Sequence, residues 1–194
     1  MPAPRRFLAA LPLLLIASAA AAHTDAEAGG FVSGLSHPVN GWDHVVAMVA
    51  VGLWGAFLGA PAIWLLPVVF PLVMALGGAA GVLGLPLPMI ETGIALSGVV
   101  LGLLIAFAVR APLWVAAVIV GVFAVFHGHA HGTELPEAAN PLAYGVGFVI
   151  ATGILHIIGI GFGFLAGSRP GRIAVRTLGV AIAAAGGAFL FGLA

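Results

Sequence analysis

Cysteine and lysine are both absent from the 194 residues. Without a thiol there are no disulfides, no thiolate metal ligands and no cysteine nucleophile, and cysteine usage says nothing about the redox compartment. Charge of either sign is scarce. Charged residues make up 6% of the chain, against about 25% in an ordinary soluble domain, which excludes a soluble globular protein. Six arginines balance six acidic residues, so no basic surface exists for a polyphosphate and nucleic acid is not expected as a partner. No P-loop occurs, which excludes direct ATP drive within this chain.

What the chain does have is apolar residues at 62%, 29 glycines and 13 prolines, with a mean hydropathy of +1.24. This is the composition of membrane-spanning helices, in which Gly and Pro are more frequent than in soluble ones. We read an all-α integral membrane protein embedded in a lipid bilayer. Residues 1–22 have the layout of a secretory signal: Arg5 and Arg6, an apolar run from Phe7 to Ala17, and the small residues Ala20-Ala21-Ala22. The run is shorter than the roughly 20 residues a span needs. Cleavage after residue 22 would leave His23 first, where its amine and imidazole could chelate a metal together, and would place the N-terminus outside the cytoplasm.

Residues 23–194 then form one transmembrane domain of six helices, expected near 43–60, 62–84, 89–109, 112–132, 141–167 and 172–194. Breaks with turn chemistry separate them at Pro61, Pro86-Leu87-Pro88, Pro112, Pro136 to Pro141 and Ser168-Arg169-Pro170-Gly171. With an outside N-terminus, Arg110, Arg169, Arg172 and Arg176 all fall on or near the cytoplasmic side, as the positive-inside rule requires. Asp25, Glu27, Asp43, Glu91, Glu134 and Glu137 all fall on the outer, periplasmic side, which is also where the map puts the C-terminus. Small-xxx-small pairs at Gly55/Gly59, Gly77/Gly81, Gly98/Gly102, Gly128/Gly132 and Gly159/Gly163 read as close-packing seams. The oligomeric state is left open, a homo-oligomer included. Trp42, Trp54, Trp64 and Trp114 read as an interfacial belt.

Seven histidines in so apolar a chain are the unusual feature, because ionisable groups within membranes are expensive and functional by default. The stretch His37-Pro38-Val39-Asn40-Gly41-Trp42-Asp43-His44 reads as a turn-rich approach to the first helix. Asp43 suits an N-cap, with His44 and Met48 sharing one helical face behind it. In Phe126-His127-Gly128-His129-Ala130-His131-Gly132-Thr133-Glu134, His127 and His131 are four apart and share a face, the spacing that lets two imidazoles grip one divalent cation. Glu134 continues that stripe if the helix persists, while His129 points elsewhere. A solvated helix end explains three histidines at this spacing poorly. Glu91 opens the third helix, where a favourable helix-terminal anion and a ligand or gate role are equally compatible with the sequence. His156 sits near mid-membrane, where a polar group needs a partner. It suits either packing against a carbonyl or a step on a cation route. The candidate metal set is therefore His37, Asp43, His44, Glu91, His127, His129, His131, Glu134 and His156. Imidazole plus carboxylate without thiolate suits nickel, cobalt or zinc better than copper(I), and magnesium or calcium would need more oxygens.

These motifs resemble those of the HupE/UreJ family. His37-Pro38 with Gly41, Asp43-His44 and Met48-x-x-Val51-Gly52-x-Trp54 is similar to the family's first-helix motif. Glu91-Thr92-Gly93-Ile94-Ala95-x-Ser97 resembles its third-helix motif, and Phe126-His127-Gly128-x-Ala130-His131-Gly132-x-Glu134 its fourth. The resemblance covers nearly the whole chain after the signal. It implies six spans after a cleaved signal, an association with hydrogenase or urease maturation, and secondary permeation of nickel and, in some members, cobalt across the bacterial inner membrane. The metal is then cargo, and no prosthetic group and no enzyme activity are expected. From the residues alone, an intramembrane metal-dependent hydrolase with Glu134 as base is the alternative, and a haem protein with axial His from two helices a weaker one.

Overall fold

The computed structural model describes residues 30–134 and 140–193. The expected signal peptide, His23, Asp25, Glu27, Glu137 and Ala194 lie outside the described residues. Every regular element among the described residues is helical, in the order α1 (Gly30–Asn40), α2 (Trp42–Leu58), α3 (Ala62–Val82), α4 (Ile90–Ala106), α5 (Leu113–Thr133), α6 (Pro141–Phe164), a 3₁₀ turn (Leu165–Gly167) and α7 (Arg169–Leu190).

All six apolar segments read from the sequence are helices, and four of them are long and apolar enough to cross a membrane: α3, α5, α6 with its 3₁₀ turn, and α7. α1 and α2 meet the same test only as a pair, bent by 81°. α4 has 17 residues, about 26 Å of helix, a little short of the ~30 Å hydrocarbon core. α1 differs from expectation, since His37 stands on a helix rather than in a turn. Pro38, which reads as a breaker, falls in the last turn of α1, where its missing N–H frees only one carbonyl.

Glycines decide how the helices pair. On α3 and α5 a Cβ at Gly77, Gly81, Gly128 or Gly132 would strike the partner's backbone, at Val125, His129, Met74 and Gly78 respectively. Gly52 on α2 lies against the His156 carbonyl of α6, and Gly159 on α6 against the Val49 carbonyl of α2. Gly98 and Gly102 on α4 meet Gly186 and Gly179 on α7. Backbones this close gain dispersion and weak C–H···O contacts where lipid offers no hydrophobic drive. Gly55/Gly59 forms no such seam. Gly59 has φ 84° and closes α2 as its C-cap, and Gly55 lies under the start of α3 at Ala62.

The described arginines and carboxylates separate to opposite ends of the helices. Arg110 lies over the Phe57 ring at 5.4 Å, and Arg176 Nε donates to the Ala106 carbonyl at 2.8 Å. Trp54 Nε1 donates to the Val109 carbonyl at 3.2 Å. Trp54 is thus a fully buried core residue, unlike the exposed Trp42, Trp64 and Trp114, and does not belong to the expected interfacial belt. Its indole ties α2 to the loop after α4. Met48 is also fully buried in the core.

Candidate metal site

The opposite end gathers the imidazoles. Gly41 is the N-cap of α2, with no side-chain cap bond, and Asp43 lies in the first turn. Asp43 therefore does not cap the helix. Its Oδ1 accepts from the backbone N–H of His44 and, at 2.9 Å, from His44 Nδ1. A Cβ at Gly41 would fall 2.8 Å from Asp43 Oδ1 and 3.1 Å from His44 Nδ1, so glycine there leaves room for the carboxylate–imidazole pair.

α5 presents His127 and His131 to the same place, as their spacing predicted. The His44 ring stands 4.7 Å from that of His127 and 4.3 Å from that of His131. From α1, the His37 ring meets His131 edge-on at 4.8 Å, and its Nε2 is 3.5 Å from Glu134 Oε2. α5 ends at Thr133 with Glu134 as its C-cap, so the stripe persists just far enough to include this carboxylate. One ligand atom from each of His37, His131 and Glu134 lies within 4.8 Å of the other two. Atoms coordinating one cation at 2.0–2.2 Å stand roughly 3.4 Å apart in a tetrahedron, so the widest separation in the group would have to close by about 1.4 Å.

Exposure falls steadily inward: Glu134 is 56% exposed at its side chain and His37 32%, while His131 is 6% and His127 0% exposed. Deeper still, Phe70 of α3 has its ring 5.6 Å from both His127 and His156. His156, on α6, is 1% exposed and faces the Pro67 carbonyl. Pro71, four residues on, has no N–H to engage that carbonyl. Neither nitrogen of His156 closes a hydrogen bond.

Buried polar atoms are normally paired. Among the described residues nine buried side-chain N and O atoms are not, and seven are imidazole nitrogens of His44, His127, His129, His131 and His156. An orphaned donor or acceptor costs about 1–3 kcal/mol, so a concentration of them at one end suits the donor chemistry of a cation path.

Two expected members stand apart. His129 Nε2 donates to the Leu85 carbonyl at 2.6 Å and thereby ties α5 to the loop between α3 and α4. Glu91 is exposed in the first turn of α4 and is outside the three-residue candidate ligand group. Other contributors carried weaker sequence signals. Phe70 sits between Pro67 and Pro71 in α3, and Tyr144, the single tyrosine, has its ring 5.9 Å from His37 and a buried, unpartnered hydroxyl. Phe148 meets His131 edge-on at 4.2 Å. Ser97, fully buried, lies 3.0 Å from His127 Nε2. Gly93, on the same helix, leaves the space taken by the Phe126 ring beside it.

The family model described as HupE / UreJ protein matches residues 11–189. Protein HupE of Rhizobium leguminosarum bv. viciae is 49% identical over 182 residues, covering 94% of this chain and 95% of that protein. No solved structure matches the chain. The chain therefore belongs to the HupE/UreJ family, which is associated with nickel and cobalt transport for hydrogenase and urease.

Proposed function

We propose that the protein is a secondary permease for a divalent transition-metal ion, nickel or cobalt, in the bacterial cytoplasmic membrane. In this reading a signal peptide of residues 1–22 is removed, six helices span the bilayer, and both termini and the histidine cluster face the periplasm. The separation of Arg110, Arg169, Arg172 and Arg176 from Asp43, Glu91 and Glu134 supports the orientation through the positive-inside rule.

The observation that carries the reading is the convergence of His37, His131 and Glu134 at a graded entrance. A hydrated cation would meet the exposed Glu134 and His37 first. It would exchange water for carboxylate oxygen and imidazole nitrogen, then pass by way of His131 to the buried pair His44 and His127. The Asp43 and Glu134 carboxylates offset the double charge, which a low-dielectric interior would otherwise exclude. Phe70 separates this cluster from His156, the next nitrogen donor on an inward path.

Uptake of radioactive nickel or cobalt into proteoliposomes tests the proposal. The wild-type chain should accumulate metal without ATP, and His131→Ala should not. Metal-independent leakage, or equal uptake by both proteins, would overturn it. A reporter fused at Ala194 should be reached from the periplasm; a cytoplasmic signal would sink the six-span orientation.

A further inference from the structure

Ser97 is a fully buried hydroxyl on α4, with two polar neighbours and one hydrogen to give. Its Oγ lies 2.6 Å from the Ile94 carbonyl oxygen and 3.0 Å from His127 Nε2. The carbonyl can only accept, and 2.6 Å is an O–H···O separation, whereas 3.0 Å is ordinary for N–H···O. The hydroxyl hydrogen therefore goes to Ile94, and Ser97 Oγ accepts from His127 Nε2–H. A neutral imidazole carries one N–H, so the lone pair of His127 resides on Nδ1, which is buried and has no partner.

The same logic holds at His44. The Asp43 carboxylate accepts from Nδ1, leaving the lone pair on Nε2, also buried and unpartnered. Two rings 4.7 Å apart thus each have one nitrogen tied back to the protein and the other free to bind.

The geometry points to Ser97 as a positioning residue for the metal path: it holds His127 as the Nε2–H tautomer and so makes Nδ1 its donor atom. The use of that donor rests on the permease reading, whereas the tautomer does not. Partners of this kind fix metal-ligating histidines generally, and their loss costs about 10–100-fold in metal affinity or activity. A serine bonded to its own i−3 carbonyl also occurs in apolar helices with no histidine nearby. Such a serine would leave the imidazole tautomer unchanged, and this separates the two roles.

The test uses the full chain in lipid nanodiscs with ¹⁵N-labelled histidine, free of metal. The ring-nitrogen shifts report the tautomer, and loss of one set of signals in His127→Gln assigns them. The wild type should show Nε2–H at His127. Ser97→Ala should lose that single tautomer and weaken Co²⁺ binding about 10–100-fold with helical content unchanged. Ser97→Thr, which keeps the acceptor, should restore both. An Nδ1–H signal in the wild type, or a Ser97→Ala protein with unaltered tautomer and Co²⁺ affinity, would overturn the proposal. If the tautomer responds as stated and Co²⁺ binds but is not taken up by proteoliposomes, the permease reading fails and the role of Ser97 stands.

Discussion

The two ends of the helix bundle treat polar groups in opposite ways. At the arginine end the polar groups are satisfied within the protein: Trp54 and Arg176 each donate to a carbonyl next to or within the α4–α5 loop, and Arg110 covers an aromatic ring. At the histidine end, nitrogens of His44, His127 and His131 are buried without partners. Satisfied groups fix one arrangement and contribute to stability, whereas orphaned groups reduce it and are retained where they bind something. The arginine end should therefore matter mainly to stability and the histidine end mainly to transport.

The sharpest way to break this contrast is His131→Ala. His131 belongs to the candidate ligand group with His37 and Glu134 and lies 4.3 Å, ring to ring, from His44, so on the proposed path its loss removes a donor common to the entrance and the buried pair. Uptake should fall at least ~100-fold, the upper range seen when only a partner that orients a metal ligand is lost. Thermal stability in detergent should stay level or rise, because two unpartnered nitrogens are removed. A large loss of stability would make His131 a packing residue.

Trp54→Phe is the converse. It keeps most of the buried ring and removes the N–H donated to Val109, leaving a carbonyl to find water. Stability should drop by about 1–3 kcal/mol, read from thermal unfolding in detergent, while uptake per inserted molecule stays near wild type. If uptake collapsed with stability intact, the arginine end would be part of the transport path.

How much of this could be read in the sequence depended on what each residue leaves in a linear pattern. The helices were legible because apolar runs and proline or glycine breaks set their lengths and limits. The pairing of His127 with His131 was legible because a helix puts i and i+4 on one face. α1 was missed because Pro38 within it and Gly41 after it carry turn chemistry, and because the face it buries is Gly30, Gly34 and Pro38 rather than a stripe of large apolar residues. Glu91 and Phe70 show a different limit. Sequence gives the depth of a residue along its helix but not the direction in which packing turns it. Glu91 was expected at the right end yet is exposed and apart from the ligand group, and Phe70 had no reason to be singled out until α3 placed its ring between two imidazoles. Trp54 was misread for the same reason, since near a helix end an indole can face lipid or core.

Acid should act on one end only. Imidazoles must be neutral to bind a cation, and an unperturbed histidine titrates near 6.5. Burial holds the pKa of His37, at the entrance, below that value, so its imidazole is still a neutral donor at pH 6.5 and a competing proton binds only in more acidic medium, where uptake should fall by up to about ten-fold per pH unit. Uptake measured from external pH 7.5 down to about 4.5 checks this, with a level region down to about 6.5 and a fall below it. A flat profile would remove the imidazoles from the rate-determining site.

The smallest effect is expected at His129, and it tests where the boundary of the site lies. By sequence it is the middle histidine of one motif and a fair candidate ligand. In the fold its Nε2 donates to Leu85 at 2.6 Å, a bond between α5 and the α3–α4 loop of the same type as those at the arginine end. His129→Ala should therefore behave like the structural class despite its position: about 1–2 kcal/mol of stability lost with the hydrogen bond, and Co²⁺ affinity close to wild type. His129→Gln, which retains an N–H that can reach the carbonyl, should recover most of that stability. Loss of Co²⁺ binding in both variants, at unchanged stability, would place His129 among the donors and extend the site to the α3–α4 loop.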